Sequence, residues 1–111
     1  VPKAFPFRVE WTQTAVRDLA AIVDYISEES TENARSVLKK LEETAEKLAT
    51  MPLRGRIVFE LAAFGIRIYR QLVHARWRII YRVSGKKVYV MAVLDSRRNL
   101  EDILLERLVR D

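Results

Sequence analysis

The sequence predicts an α+β domain in which a helical hairpin covers one face of a sheet. Two consecutive segments between Ala15 and Ala49 carry apolar residues at helical spacing, and three consecutive segments between Ile66 and Leu94 have strand composition. The helical and strand segments are grouped rather than alternating, which favours an α+β layering over a parallel α/β sheet.

Phe5-Pro6-Phe7-Arg8-Val9-Glu10-Trp11 has the aromatic and β-branched content of a short strand. Thr12 or Thr14 then caps a helix in which Leu19, Ile22, Val23 and Ile26 recur at helical spacing, with Arg17, Asp18, Asp24 and Glu28 largely elsewhere on the wheel. This helix ends near Glu29. Ser30 or Thr31 caps a second one, whose apolar stripe is Ala34, Val37, Leu38, Leu41, Ala45, Leu48 and Ala49, and Pro52 stops it. The short join makes the pair antiparallel. Lys39, Lys40, Glu42, Glu43, Glu46 and Lys47 mix both signs on the outer side, as a solvated helix face does.

Pro52-Leu53-Arg54-Gly55-Arg56 reads as a turn, and the stretch to Gly65 has no clear period, so it is a loop or an irregular strand. Three strands follow, over Ile66–His74, Arg76–Val83 and Lys87–Leu94, the last two joined through Ser84-Gly85-Lys86, where Gly85 supplies a positive φ. In the third, Val88, Val90, Ala92 and Leu94 alternate with Tyr89, Met91 and Val93; both faces are apolar, so this strand should be central. Leu100, Ile103, Leu104 and Leu108 then predict a final helix of about ten residues, near the usual helix length.

The middle strand carries the functional expectation. Period-2 alternation sends Trp77, Ile79, Tyr81 and Val83 one way and Arg76, Arg78, Ile80 and Arg82 the other. Several like charges on one strand face repel unless something neutralises them, so the arginine row is expected to face an anionic partner. An aromatic neighbour such as Tyr69 is a candidate stacking partner for one of them. Tyr81 reads as a core residue with a tethered hydroxyl, and His74 as a strand-end side chain, exposed or able to transfer a proton. Glu60 is a candidate base whose loop setting suggests ordinary solvation. Arg97 and Arg98 have either local ion pairs with Asp95 or Glu101, or contacts to a target.

With 111 residues and 50% hydrophobic content, the chain makes one domain over residues 1–111 with a single core. Cysteine is absent, which excludes disulfides and thiolate chemistry, and one histidine excludes a multi-His metal centre; neither metal nor cofactor is expected. No apolar run approaches the roughly 20 residues of a membrane helix, and the N-terminus lacks a secretory signal, so a cytoplasmic location is expected. The net charge of +5 is uneven. Residues 1–51 hold 7 Lys+Arg against 9 Asp+Glu, whereas residues 52–111 hold 13 against 6, and so positive a half favours a polyanion or an acidic protein segment as partner.

Trp11-Thr12, Ala15, Asp18-Leu19, Tyr25-Ile26, Leu48 with Pro52 and Gly55-Arg56, Arg78-Ile79-Ile80-Tyr81-Arg82-Val83, and Arg97-Arg98 together resemble the RelE/ParE family of bacterial type II toxins, from about Val9 to about Leu108. The resemblance implies a helical hairpin on a curved antiparallel sheet (β-α-α-β-β-β with a C-terminal helix). It also implies a cognate antitoxin whose C-terminal segment folds on binding, giving a hetero-oligomer, with homodimerisation of isolated chains open. One branch of the family cleaves messenger RNA on the ribosome; the other, associated with plasmid stabilization, inhibits DNA gyrase. In the nucleases Arg78 and Arg98 would correspond to phosphate-stabilising arginines. However, Leu104 falls about where a RelE enzyme has a tyrosine, and Arg67, Tyr69, Arg70 and Gln71 stand where it has lysines. Arginine is a good phosphate clamp and a poor general base. The expected function is therefore that of a ParE-like gyrase inhibitor, with Arg67, Arg70, Arg76, Arg78, Arg82, Arg97 and Arg98 contacting target or antitoxin. The alternatives are a RelE-like mRNA endonuclease and a detoxified co-repressor that keeps antitoxin binding.

Overall fold

Thr12 ties the first strand to the first helix and to the middle of the sheet. Its Oγ1 accepts from the Ala15 N–H at 3.2 Å and donates to the Val90 carbonyl at 2.9 Å, so Thr12 rather than Thr14 is the cap between β1 (Arg8–Trp11) and α1 (Gln13–Ser27). Ser30 caps α2 (Thr31–Glu46) by accepting from the Asn33 N–H at 3.1 Å, and a 3-10 turn over Lys47–Ala49 closes the hairpin before Pro52. The computed structural model describes residues 6–103 and Arg107.

The stretch without a sequence period contains two short elements, β2 (Arg56–Ile57) and the single-turn α3 (Phe59–Ala62). Strand β3 (Tyr69–His74) starts later than expected and leaves Arg67 ahead of it. Ala75 and Arg76 form the turn into β4 (Trp77–Ser84), with Ala75 at φ 53°, so Arg76 is a turn residue rather than the first residue of the strand. Gly85, at φ 60°, turns β4 into β5 (Lys87–Asp95) as expected.

The sheet order is β1-β5-β4-β3-β2. All neighbours are antiparallel except β1 and β5, which run parallel, so the sheet is not purely antiparallel. Parallel partners need a long connection, and the hairpin and three strands between β1 and β5 supply one. Strands β4 and β5 are central, as the apolar faces of the last strand predict.

The hairpin packs Ala15, Leu19, Leu41 and Ala45 against Trp77, Ile79, Val90 and Val93. On the opposite face Val58, Leu61 and Leu100 cover Ile80, Ala92 and Leu94. Simple alternation would put Val90, Ala92 and Leu94 on one face, but Ile80 pairs with Ala92 and Tyr81 with Val90, which leaves Met91 as the extra residue of a bulge. One unpaired residue reverses the phase of the strand. Val93 therefore joins Val90 under the hairpin, while Ala92 and Leu94 turn to the other face.

Residues 100–103 are helical, with Leu100 buried and Ile103 packed beside it, in line with the start of the expected final helix. Leu104 and Leu108 lie outside the described residues. Among those described, no helix is long and apolar enough to cross a membrane.

Candidate partner-binding surface

Strand β4 turns Trp77, Ile79 and Tyr81 toward the hairpin side, and all three are buried. Its opposite face does not present an arginine row. Arg78 is 7% exposed: Nη1 and Nη2 donate to the two Glu60 carboxylate oxygens at 2.7 and 2.9 Å, and Nη2 also meets Gln71 Oε1. Alternation places Arg78 correctly on the second face, but α3 folds over that face and brings a carboxylate with it. A guanidinium is tolerated there only with a counter-charge. Glu60 is thus not a solvated loop carboxylate. The Arg78 hydrogen bond holds its pKa below the ordinary value, against the opposing effect of burial.

Arg76 leaves the row for a different reason. From the turn it stacks over the Trp77 ring at 4.4 Å, with Nε 3.6 Å from Asp95 Oδ2 and the side chain 41% exposed. Arg82, half-buried, lies over Tyr89 at 5.7 Å, so the aromatic partners are Trp77 and Tyr89 rather than Tyr69. Arg70 is spent on structure: its Nη1 donates to the Gly55 carbonyl at 2.8 Å and the Leu53 carbonyl at 3.4 Å, bracing the turn before β2.

Asp95, at the end of β5, is the local anchor for the C-terminal arginines. It accepts from Arg97 Nε at 3.1 Å, Nη2 at 2.8 Å and the Arg97 backbone N–H at 2.9 Å. These bonds push the Asp95 carboxyl far below the ordinary range and raise Arg97 above its own. Arg97 therefore has the expected ion pair. Arg98 is exposed, and its side chain has no partner among the described residues; Arg67 is likewise exposed without one.

Arg76, Arg97 and Arg98 come together with Tyr25, Trp77 and Arg107 around a cavity of about 550 Å³ between α1 and the end of β5. Arg78, Arg82, Arg67 and Arg70 are not part of it. Asp18 at its base was missed from sequence: Oδ2 accepts from the Val93 N–H at 3.0 Å and from Arg107 Nη1 at 2.6 Å. The available signal was its position three residues after Ala15 and four before Ile22, on the buried stripe rather than away from it.

Neither proton-transfer candidate lines this cavity. Tyr81 is fully buried, its hydroxyl accepts from the Gly55 N–H at 2.9 Å, and burial raises its pKa. His74 is half-buried at the end of β3. The cavity offers cations, aromatic faces and two carboxylates already engaged by arginines, which suits recognition of an anionic, partly apolar ligand more than proton transfer.

Residues 9–100 match the family model described as the ParE toxin of type II toxin-antitoxin system, parDE. The chain belongs to the ParE toxin family. The fold is similar to a chain in the chromosomal ParDE TA system from P. aeruginosa, at 21% identity and a TM-score of 0.66, covering 83% of this chain and 98% of that one. It is also similar to a chain in the RelBE2 toxin-antitoxin complex from Mycobacterium tuberculosis, at 24% identity and a TM-score of 0.62, covering 84% and 94%. No curated protein sequence matches it. The fold of a ParE toxin is thus built here around an arginine, Arg78, that is internally neutralised.

Proposed function

We propose that this ParE-family chain is a toxin that inhibits DNA gyrase in the cytoplasm and is silenced by a cognate antitoxin. The observation that carries this reading against RNA cleavage is the Arg78–Glu60 pair. Metal-free cleavage of RNA needs a base for the 2′-hydroxyl, a cation for the developing phosphate charge and an acid for the leaving oxygen. Arg78, the cation that the family resemblance offers for that task, faces a carboxylate at 2.7 Å instead of solvent. Tyr81, three residues on, is committed to Gly55.

The antitoxin proposal draws on the two solved relatives, both from toxin-antitoxin systems, and on the cavity beside Asp95. Its four arginines against two aspartates, set around Trp77 and Tyr25, suit an acidic segment with apolar side chains. Such a segment gains order as it docks, and the product is a hetero-oligomer.

Two assays on the purified chain test the reading: gyrase supercoiling and translation-coupled mRNA cleavage. Inhibited supercoiling with intact message is expected. Codon-phased cuts that vanish in Arg98→Ala would replace it with the RelE-like nuclease reading. Inactivity in both, with normal antitoxin binding, would leave a detoxified co-repressor.

A further inference from the structure

Among the described residues, eight large apolar side chains are more than half exposed, and six of them fall in one stretch: Met51, Leu53, Phe59, Phe64, Ile68 and Val73. That stretch runs from the end of the hairpin through β2, the edge strand farthest from β1, and α3, which lies over the second face of the sheet, to β3. Scattered single exposures are ordinary in soluble proteins; a concentration of them on one flank marks an interaction surface.

The charge of the same flank is one-sided. Residues 51–73 hold four arginines and one carboxylate, Glu60, which is consumed by Arg78. Arg70 is turned onto backbone carbonyls, while Arg54, Arg56 and Arg67 are exposed and have no side-chain partner among the described residues. Arg54 and Arg56 line a cleft of about 340 Å³ with Val73, so cationic and apolar groups meet at one place. Phenylalanine, methionine and arginine are among the residue types enriched at protein interfaces.

Resting on the toxin reading above, we infer that this flank docks a folded protein whose surface offers an apolar pocket with an acidic rim, the target on which the toxin acts. Phe59, 70% exposed on α3, and Phe64, just after it, are knobs, and knobs need pockets. A folded partner supplies pockets; an extended antitoxin tail does not. That tail is better served by the trough beside Asp95, on the far side of β4 and β5. Nucleic acid is the poorer occupant, since Met51, Leu53, Ile68 and Val73 are aliphatic and offer neither a stacking face nor a charge to phosphate or base.

The test uses the full chain carrying Phe59→Asp or Arg67→Glu, each at an exposed position. Growth arrest on induction reports target action, calorimetry with the antitoxin reports neutralisation, and a supercoiling assay reports gyrase. Each variant should weaken growth arrest by about tenfold or more, with unchanged antitoxin affinity and melting. If Phe59→Asp melts early, Phe64→Ser takes its place. The surface is overturned if both variants arrest growth at full strength, if antitoxin affinity falls by the same factor, if binding to a plain DNA duplex is what disappears, or if the parent chain arrests nothing. A parent that arrests growth without inhibiting supercoiling, and loses that effect in the variants, removes gyrase as the target and leaves the surface standing.

Discussion

Glu60 grips Arg78 at two points, 2.7 and 2.9 Å, across 18 residues of chain. This single pair both closes the second face of the sheet and fastens α3, a helix of only four residues. Removing one member strands a charge in a site where the arginine side chain is 9% exposed. Glu60→Ala is therefore expected to lower unfolding stability by about 3 kcal/mol, and a Glu60→Leu, Arg78→Met double variant to recover most of it. Urea denaturation of the three proteins checks this; equal losses in single and double variants would contradict it.

The same pair gives a pH dependence with a definite sign. Arg78 lowers the folded-state pKa of Glu60 from its ordinary 4.5, so the folded chain holds fewer protons than the unfolded one as pH falls. The resulting stabilisation is complete above 4.5 and fades as pH drops through the folded value. Thermal melts should show the parent well above Glu60→Gln at neutral pH, with the gap narrowing below about pH 4. A gap constant down to strongly acidic pH would mean that the pair is not what separates them.

Gly55 and Tyr81 make a second long-range lock. A Cβ on Gly55 would lie 2.5 Å from the Gln71 carbonyl oxygen and 2.6 Å from the Tyr81 hydroxyl, so nothing larger fits. Tyr81→Phe keeps the shape and abandons the Gly55 N–H, at a loss of about 1–3 kcal/mol. Gly55→Ala must push backbone as well, and is expected to lose more than Tyr81→Phe in the same chemical melt. The reverse order would show that the turn has room to move.

What the sequence disclosed follows from how local each signal is. Thr12 and Ser30 cap helices whose apolar spacing repeats over several turns, so the hairpin was legible. So was the buried face of β4, because Trp77, Ile79 and Tyr81 alternate without interruption. The bulge at Met91 leaves no local mark: it exists only in the register between β4 and β5. The burial of Arg78 depends on α3, a single turn too short to show a period, and no spacing rule connects position 60 to 78. The alternation that predicts a row of three arginines is correct for Arg78, and what neutralises it lies on an element that carries no periodic signal. Of the predicted contacts, Arg97 to Asp95 is visible because the two lie only two positions apart.

Trp77 is 6% exposed and carries Arg76 on its ring. Trp77→Ala removes the largest buried side chain under the hairpin and should lower stability by about 3–5 kcal/mol. Trp77→Phe keeps much of the packing, so its loss should be clearly smaller. Guanidinium denaturation followed by far-ultraviolet circular dichroism ranks them; similar losses would point to the arginine stack, not the buried ring.

Arg98 and Arg97 should separate in a binding experiment although they are neighbours. Arg98 has its charge free among the described residues, whereas Arg97 is already bonded to Asp95. Arg98→Ala should leave the melting temperature unchanged and weaken antitoxin binding most at low salt, where exposed charges are least screened. Affinity that is equally reduced at every ionic strength, or not reduced, would exclude an electrostatic role.

Asp18 takes over where β1 stops. Strand β1 pairs with β5 only as far as Trp11 opposite Val90, and the Val93 N–H beyond that point is met by the Asp18 carboxylate at 3.0 Å. The side chain thus continues the sheet edge after the backbone has turned into α1, and the same oxygen also receives Arg107 at 2.6 Å. Asp18→Ala leaves a buried donor unmet and is expected to destabilise the chain by about 1–3 kcal/mol. Asp18→Asn keeps an acceptor for Val93 but drops the charge, so it should retain part of the stability while releasing Arg107. Amide hydrogen exchange at Val93 distinguishes the two: fast in Asp18→Ala, slowed in Asp18→Asn. Equal exchange in both would assign the effect to the lost ion pair alone.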